Sequence, residues 1–168
     1  MRRLSTIAAV AGITVVLGAP VAGATGGKDG WVPYRTQPFD SVGRCSFTVH
    51  ADIVQDEEEV RTDATFPDGS PRIQEFRGPL VIRLTNTANG KSAVRDVSGY
   101  GRVVYKQNGG AIWYFGQGVA IGIPIGNKAY PAGYYVVHGR SWYTIQPDGT
   151  RDIKDRLADV ENMCRTLA

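Results

Sequence analysis

The sequence predicts a mainly β protein, an antiparallel β-barrel with a short C-terminal α-helix, and three observations support this. Apolar and polar residues alternate with a period of two along most of the chain after residue 45. Turn signals such as Asn89-Gly90 and Pro147-Asp148-Gly149 recur at a hairpin spacing of roughly 8–12 residues. Several glycines fall inside strand-like segments, where they permit the curvature that closure of a barrel needs. A two-sheet β-sandwich is the alternative fold.

The first 24 residues have the pattern of a secretory signal peptide. Arg2 and Arg3 precede an uncharged, mostly apolar run at residues 7–18, and Ala22-Gly23-Ala24 offers the small residues that a signal peptidase accepts. The run is too short for a membrane-spanning helix, which needs about 20 apolar residues. We therefore expect cleavage after this tripeptide, a secreted extracellular protein, and no membrane contact once the signal is removed.

The remaining chain is predicted to hold an irregular leader, residues 25–44, and one β-rich domain, residues 45–168. Cys45 and Cys164 are its two cysteines and lie near the two ends of that domain. An even cysteine count in an exported chain favours one disulfide over a metal pair or a reactive thiol. A bridge that closes nearly the whole domain stabilises it by about 4–5 kcal/mol in the chain-entropy account.

The strands follow one another through most of the domain. The first, residues 47–53, alternates apolar and polar side chains and so has one buried face. The acidic run Asp56-Glu57-Glu58-Glu59 after it is expected to be solvated, since contiguous carboxylates do not converge on one cation. Asn89-Gly90 predicts a hairpin with a type I′ turn, in which both residues take a positive φ. The other strands are predicted at residues 60–66, 72–77, 80–87, 92–97, 100–106, 111–115, 134–140 and 141–146.

Only the C-terminal end has a helical pattern. Asp152 is a predicted N-cap, and Asp155 is the third residue after it. The following apolar residues fall at spacings of four, three and four, on one stripe: Ile153, Leu157, Val160 and Cys164. A disulfide to Cys45 would then pin this helix to the first strand.

A glycine-rich segment and many aromatic residues mark the region where a ligand is expected. Residues 118–126 alternate aliphatic side chains with Gly, Ala and Pro, so one face of the segment is nearly bare. A bare face admits a neighbouring aromatic, a bend at a barrel corner or a ligand. Adjacent aromatics nearby must point to opposite faces of their strands. The candidate ligand-binding residues are Trp113, Phe115, Gly118, Gly122, Tyr135 and Trp142.

Catalytic and metal sites are poorly supported by the residue types present. His50 with Asp52, completed by His138, would make an acid/base or metal site if their strands met. Two histidines are too few for a structural zinc, so neither a metal nor a cofactor is expected. Ser141 lacks the Gly-x-Ser-x-Gly context of an exposed nucleophile. A small extracellular enzyme of unrecognised mechanism is therefore the alternative to a non-catalytic protein.

The charge balance argues against nucleic acid as a partner. Lys plus Arg number 19 and Asp plus Glu number 16, and two of the arginines lie in the predicted signal peptide. Phosphate recognition needs a net basic field or a clustered basic stripe, and the sequence has neither.

Three segments resemble small exported proteins of actinobacteria. They are the stretch from Leu84 to Gly99, the pieces Phe39-Asp40 and Cys45-Ser46-Phe47, and the closing Val160-Glu161-Asn162-Met163-Cys164. The resemblance implies export, a single β-rich domain and a terminal Cys pair, and it carries over no catalytic or binding residues. With the residue patterns, it predicts a secreted β-barrel that acts as a non-catalytic binding or interaction module for a small apolar ligand, a glycan or a protein.

Overall fold

The computed structural model describes residues 29–168, except for the side chains of residues 155–157. The predicted signal peptide, residues 1–24, lies outside this range. In chain order the elements are β1 (Val32–Pro33), β2 (Phe39–Ser41), β3 (Val49–Asp56), β4 (Glu59–Thr65), β5 (Pro71–Gly78), β6 (Leu80–Asn86), β7 (Ser92–Asp96), β8 (Gly99–Tyr105), β9 (Ala111–Phe115), β10 (Val119–Ile123), β11 (Gly133–Ile145), β12 (Arg151–Asn162) and α1 (Met163–Thr166).

The strands form two antiparallel sheets. The large sheet has the spatial order β1, β4, β5, β8, β9, β11, β10, and β12 pairs with the other edge of β11. The small sheet has the order β2, β3, β6, β7. The predicted mainly β class, its antiparallel pairing and the short C-terminal helix are therefore confirmed, while no closed barrel is found in the part of the chain that the structure describes.

Strand β11 organises the large sheet. Its C-terminal half pairs with β9 and its N-terminal half with β10, so that Ser141 lies opposite Phe115 and Val137 opposite Val119. The two pairings are in the same register, because three residues lie between Val137 and Ser141 and three residues lie between Phe115 and Val119. Strands β9 and β10 are thus one long strand interrupted at residues 116–118, where the predicted glycine-rich segment 118–126 begins.

Four hairpins share one turn design. In each, a glycine with φ between 76° and 86° ends the turn: Gly69, Gly90, Gly109 and Gly149. The Asp or Asn before that glycine accepts a hydrogen bond from the backbone N–H two positions later, at 2.9–3.2 Å. Among the described residues only glycines have a positive φ, so the type I′ turn predicted at Asn89-Gly90 is wrong. The loop is longer, and the Asn89 side chain, not a left-handed Asn backbone, holds it.

Strand β11 is buried on both faces. Tyr134 and Val136 face the small sheet, whereas Tyr135 and Val137 face the opposite side. We call the first side the inter-sheet core: Cys45, Val49, Ala51, Ile82, Leu84, Val97, Tyr134, Val136, Met163 and Leu167. We call the second side the curl core, which consists of Phe115, Ile121, Ile123, Tyr135, Val137, Tyr143 and Ile153.

The predicted disulfide is present and lies at the edge of the inter-sheet core. Cys45 and Cys164 are bonded, with their Cα atoms 5.3 Å apart. The Asn162 side chain caps the short helix by accepting a hydrogen bond from the Cys164 backbone N–H at 2.9 Å. Met163 and Leu167 are fully buried beside the bridge. The C-terminus is thereby fixed to the segment that precedes β3.

The helix predicted from Asp152 is wrong over most of its length, because residues 151–162 form strand β12. Ile153 is buried and Lys154 is exposed, the alternation of a strand. Pairing with β11 from Tyr135 to Ile145 satisfies the backbone of β12, with one irregularity near Ser141. Spacings of three and four residues indicate a helix only weakly, and pairing with such a long strand outweighs them. Among the described residues, α1 is the only helix.

The described part of the predicted leader is more ordered than the sequence indicates. It contributes the short strands β1 and β2 to the two sheets. Trp31 is buried between two guanidinium groups, those of Arg61 and Arg77, which lie 4.9 and 4.0 Å from its ring centroid. Cation–π contacts of this kind fix the segment against strands β4 and β5. Within the described residues, no helix has the length and apolar character needed to span a membrane.

Candidate functional site

An apolar cleft of about 230 Å³ opens where the two sheets meet. Strands β5, β8, β9, β10 and β11 of the large sheet line it together with β2 and β6 of the small sheet. A second, larger hollow of about 440 Å³ lies between the turns that follow β4 and β8, where polar turn residues bound it together with Phe66, Pro67, Pro71 and Tyr105. The inter-sheet cleft is the better candidate site, because ligand sites are mostly apolar with a few polar groups that orient the ligand.

Four aromatic rings form a continuous series along this cleft, which we call the aromatic ladder: Tyr34, Phe76, Trp113 and Phe115. The Tyr34 ring meets Phe76 edge to face at 5.3 Å, Phe76 stacks on Trp113 at 5.6 Å, and Trp113 stacks on Phe115 at 6.0 Å. Aromatic pairs at such distances are attractive beyond their area burial. The ladder therefore gives the cleft a preformed aromatic wall.

A glycine between two strands makes the ladder possible. Gly101 on β8 lies opposite Phe76 on one neighbouring strand and opposite Phe115 on the other. A Cβ at Gly101 would lie 3.5 Å from the Phe115 ring. Since no side chain stands between them, rings from β5 and β9 meet across the intervening strand.

Polar groups gather at the mouth of the cleft. The Thr36 hydroxyl donates to Oε2 of Glu58 at 2.9 Å, and both residues line the cleft. Asp56 accepts hydrogen bonds from the backbone N–H groups of Thr36 at 2.7 Å and Glu58 at 3.0 Å, which fixes the loop. Burial raises the pKa of the Glu58 carboxyl, and the Thr36 hydrogen bond opposes that effect.

The four acids of the run 56–59 have different surroundings. Asp56 lies 3.8 Å from the Arg35 guanidinium and Glu59 lies 2.8 Å from that of Arg77. Glu57 is exposed and accepts a hydrogen bond from the Gln55 amide. Among the described residues, no cationic group lies within 4.0 Å of the Glu58 carboxylate. Glu58 is the member of the run that lines the cleft, so the expected solvated run includes one partly buried carboxyl.

Three of the six predicted ligand-binding residues lie together in the cleft: Trp113, Phe115 and Gly118. The bare side of Gly118 is occupied by backbone, because a Cβ there would lie 2.8 Å from the Cα of Val97. The sequence expectation of close approach at this glycine is thus met by the segment after β7. The neighbouring Ala120 also lines the cleft.

The other three predicted residues lie elsewhere. Gly122 is covered by the buried Arg44 side chain, whose Nε would lie 3.0 Å from an added Cβ. Tyr135 belongs to the curl core, where its hydroxyl donates to the Pro131 carbonyl at 3.1 Å. Trp142 points away from the cleft, is 44% exposed, and lies opposite the exposed Tyr114 on the neighbouring strand.

The histidines do not form a shared site. His50 lies on the small sheet between Asp40 at 2.6 Å and Asp52 at 3.3 Å. The hydrogen bond with Asp40 raises the pKa of the His50 imidazole. His138 is exposed on β11 of the large sheet. Among the described residues, no group of three or more His, Cys, Asp or Glu side chains is arranged to hold a metal ion.

Sequence reasoning missed Tyr34, Glu58, Phe76 and Gly101. Phe76 and Glu75 point to opposite faces of their strand, but Glu75 is itself buried, so the alternation alone does not identify the face that lines the cleft. The position of Phe76 opposite Gly101 and near Trp113 depends on the strand order, which passes from β5 to β8 and omits β6 and β7. Local patterns do not specify such a crossing between sheets.

No protein-family model, curated protein or solved structure matches the chain. The fold and the site define a mainly β, disulfide-bonded protein with an aromatic cleft between two sheets. A disulfide that closes most of the chain is typical of an oxidising compartment outside the cytoplasm.

Proposed function

We propose that the protein is a secreted, non-catalytic binding module that takes a small apolar ligand into the inter-sheet cleft. The observation that carries the proposal is the aromatic ladder, which lines a cleft left open between two otherwise packed sheets. Export is supported by the signal-peptide pattern and the disulfide. The resemblance to small exported actinobacterial proteins agrees with export and adds nothing on the ligand.

The cleft favours a compact ligand. Its volume of about 230 Å³ lies below the roughly 300–1,000 Å³ of sites for drug-sized molecules. Apolar groups contribute most of its lining, while Thr36 and Glu58 offer polar atoms at the mouth. A ligand with an apolar or aromatic body and one polar end fits this division.

The architecture that suits this function is a half-open β-barrel in which the large sheet curls over its own core. Two contacts that join the strands flanking β11 support this curl. The Arg151 guanidinium at the start of β12 donates to the Gly122 carbonyl of β10 at 2.7 Å. The Asn127 side chain both accepts from the Arg151 backbone N–H at 2.7 Å and donates to its carbonyl at 2.8 Å. A sandwich of two flatter sheets is the alternative arrangement.

Native and denaturing mass spectrometry of the secreted protein tests the proposal. We expect the native mass to exceed the denatured mass by that of one small molecule. Trp113→Ala removes a central ring of the ladder and should abolish the excess mass. Trp142→Ala is the matched control, because Trp142 lies on the exposed face and its removal should leave the bound ligand in place.

An equal loss of bound mass in both tryptophan variants would contradict the cleft as the site. Circular dichroism and a thermal melt of each variant establish that it is folded before its mass is compared. If the native and denatured masses agree, titration with the uncharged probe described below decides the matter: absence of binding then overturns the proposal.

A further inference from the structure

We propose that the ligand of the inter-sheet cleft is a small organic cation, whose ammonium group lies beside Glu58 and whose apolar body lies against the aromatic ladder. This inference rests on the proposed function and names the chemical class of its ligand. Two separate features of the cleft, the aromatic wall and the charge at its mouth, support it.

The aromatic wall suits a cation. The cleft is lined by Tyr34, Phe76 and Trp113. The ring centroids of Tyr34 and Phe76 are 5.3 Å apart, and those of Phe76 and Trp113 are 5.6 Å apart. Aromatic faces attract ammonium and quaternary ammonium groups through the ring quadrupole, and Trp and Tyr do so most strongly. The same protein already uses this attraction at Trp31, which binds two guanidinium groups.

The charge at the mouth has the matching sign. The run 56–59 supplies four carboxylates, and the two arginines beside it are already engaged. Arg77 pairs with Glu59 and stacks on Trp31, and Arg35 lies near Asp56 and donates to the carbonyls of Tyr34 and Glu58. The excess charge in this region is negative. Glu58 and Arg77 are the charged residues that line the cleft, and the Arg77 guanidinium is already engaged by Glu59 and Trp31.

One oxygen of the Glu58 carboxylate is available as a hydrogen-bond acceptor. Its Oε2 accepts the Thr36 hydroxyl, whereas no described group donates a hydrogen bond to its Oε1. A half-buried carboxylate attracts a cation more strongly than one in bulk water, because the local dielectric is lower. Where the ammonium carries an N–H, Oε1 can also accept a hydrogen bond from it. An anionic ligand would instead face the Glu58 carboxylate, while the arginine in the cleft wall, Arg77, is already paired with Glu59.

Three probes of similar shape but different charge test the inference: benzyltrimethylammonium, neopentylbenzene and phenylmethanesulfonate. Each has a phenyl ring joined through one CH₂ to a compact tetrahedral group. Binding is followed by NMR titration of the mature protein, with the indole N–H signal of Trp113 assigned from the Trp113→Ala variant. We expect the cation to bind roughly tenfold more tightly than the neutral probe, and the anion to bind more weakly than both.

A matched pair of variants locates the source of the preference. Glu58→Gln keeps the shape and an oxygen that accepts the Thr36 hydroxyl, so it should reduce the cation preference to the part that the aromatic wall supplies, while neutral binding is kept. Glu57→Gln removes the same charge from the adjacent exposed position and should leave the preference within about twofold, since surface charges are screened. Neutral-probe binding reports that each variant is folded.

The outcomes separate the two proposals. If the neutral probe binds as tightly as the cation, the small-ligand function stands and the cation inference is overturned. Tighter binding of the anion overturns the inference in the same way. If none of the three probes binds the wild-type protein, the inference fails, and matching native and denatured masses would then overturn the small-ligand function as well. Equal loss of preference in Glu57→Gln and Glu58→Gln would overturn the role of Glu58.

Discussion

The two cores that flank strand β11 differ in how they are closed. The inter-sheet core is sealed by the Cys45–Cys164 disulfide and by the short helix, whose Met163 is fully buried. The curl core has no covalent closure among the described residues, and both cores border the open cleft, the inter-sheet core through Ile82, Val97 and Tyr134 and the curl core through Phe115. One strand therefore separates a core locked by a disulfide from one without such a bond, and the ligand site adjoins both.

This difference suggests how a small protein keeps an unfilled cleft. An open cleft lacks the apolar contacts that a packed core would make in the same space, and the loss of these contacts is destabilising. The locked side supplies compensation, because the disulfide lowers the entropy of the unfolded chain whatever the cleft contains. We therefore expect changes at the disulfide and its buried neighbours to act mainly on stability, and changes at residues that line the cleft to act also on ligand binding.

Loss of the disulfide should produce the largest effect. The bridge joins residues 119 positions apart, and the Cys45→Ser/Cys164→Ser double variant should lose about 4–5 kcal/mol of unfolding free energy. Urea unfolding followed by fluorescence measures the loss. A variant as stable as the wild type would show that the inter-sheet core does not depend on its covalent closure, and the contrast between the two cores would fail.

Adjacent valines on β11 give a sharper comparison. Val136 and Val137 are both fully buried, one in each core. Truncation to alanine at either position should cost about 2–3 kcal/mol through lost contacts and a residual cavity. Hydrogen exchange should differ, however: Val136→Ala should speed exchange in β3 and β6, whereas Val137→Ala should speed it in β10 and β12.

The same exchange pattern in both valine variants would contradict two distinct cores. It would indicate that the sheets open as one unit regardless of which face of β11 is weakened. The wild-type protein at matched stability, adjusted with a low concentration of urea, is the control for global unfolding.

The sequence predicted those features of the fold that depend on neighbouring residues. The even cysteine count predicted the pairing of Cys45 with Cys164, and turn residues such as Asp68-Gly69 predicted the hairpins. Strand β12 was missed because the spacing of Ile153 and Val160 fits a helix, whereas its long pairing with β11 is a tertiary contact. Where a local sequence pattern conflicts with the pairing and register of a strand, the pairing determines the structure.

Part of the candidate site was predictable for the same reason. Trp113 and Phe115 are two positions apart on one strand, so the sequence predicts that they share a face. Phe76 reaches them only because β8 lies between β5 and β9 and carries Gly101 at the crossing. Glu58 belongs to an acidic run, and such runs are usually solvated, so the sequence does not distinguish it from Glu57. Only the structure shows that Glu58 is partly buried in the cleft wall while Glu57 is exposed.

The smallest expected effect concerns an ion pair that links the two sheets beside the inter-sheet core. Arg95 on β7 donates two hydrogen bonds to Glu161 on β12, at 2.6 and 2.7 Å. The Arg95 hydrogen bond lowers the pKa of the Glu161 carboxyl, and burial opposes that effect. The stabilising contribution is therefore complete above the pKa of an unfolded Glu and is lost as pH falls through the lower folded value.

Its magnitude should be about 1 kcal/mol or less, because both side chains are partly exposed to solvent. Urea unfolding of wild type, Glu161→Gln, Arg95→Met and the double variant between pH 7 and pH 3 isolates the coupling. The coupling energy should be favourable at pH 7 and become smaller as the pH falls toward 3. If it persists unchanged at pH 3, the pair does not act through the charge of Glu161, and the cohesion of the two sheets at this edge comes from packing, the disulfide and neutral hydrogen bonds such as that from Asn86 to the Leu167 carbonyl.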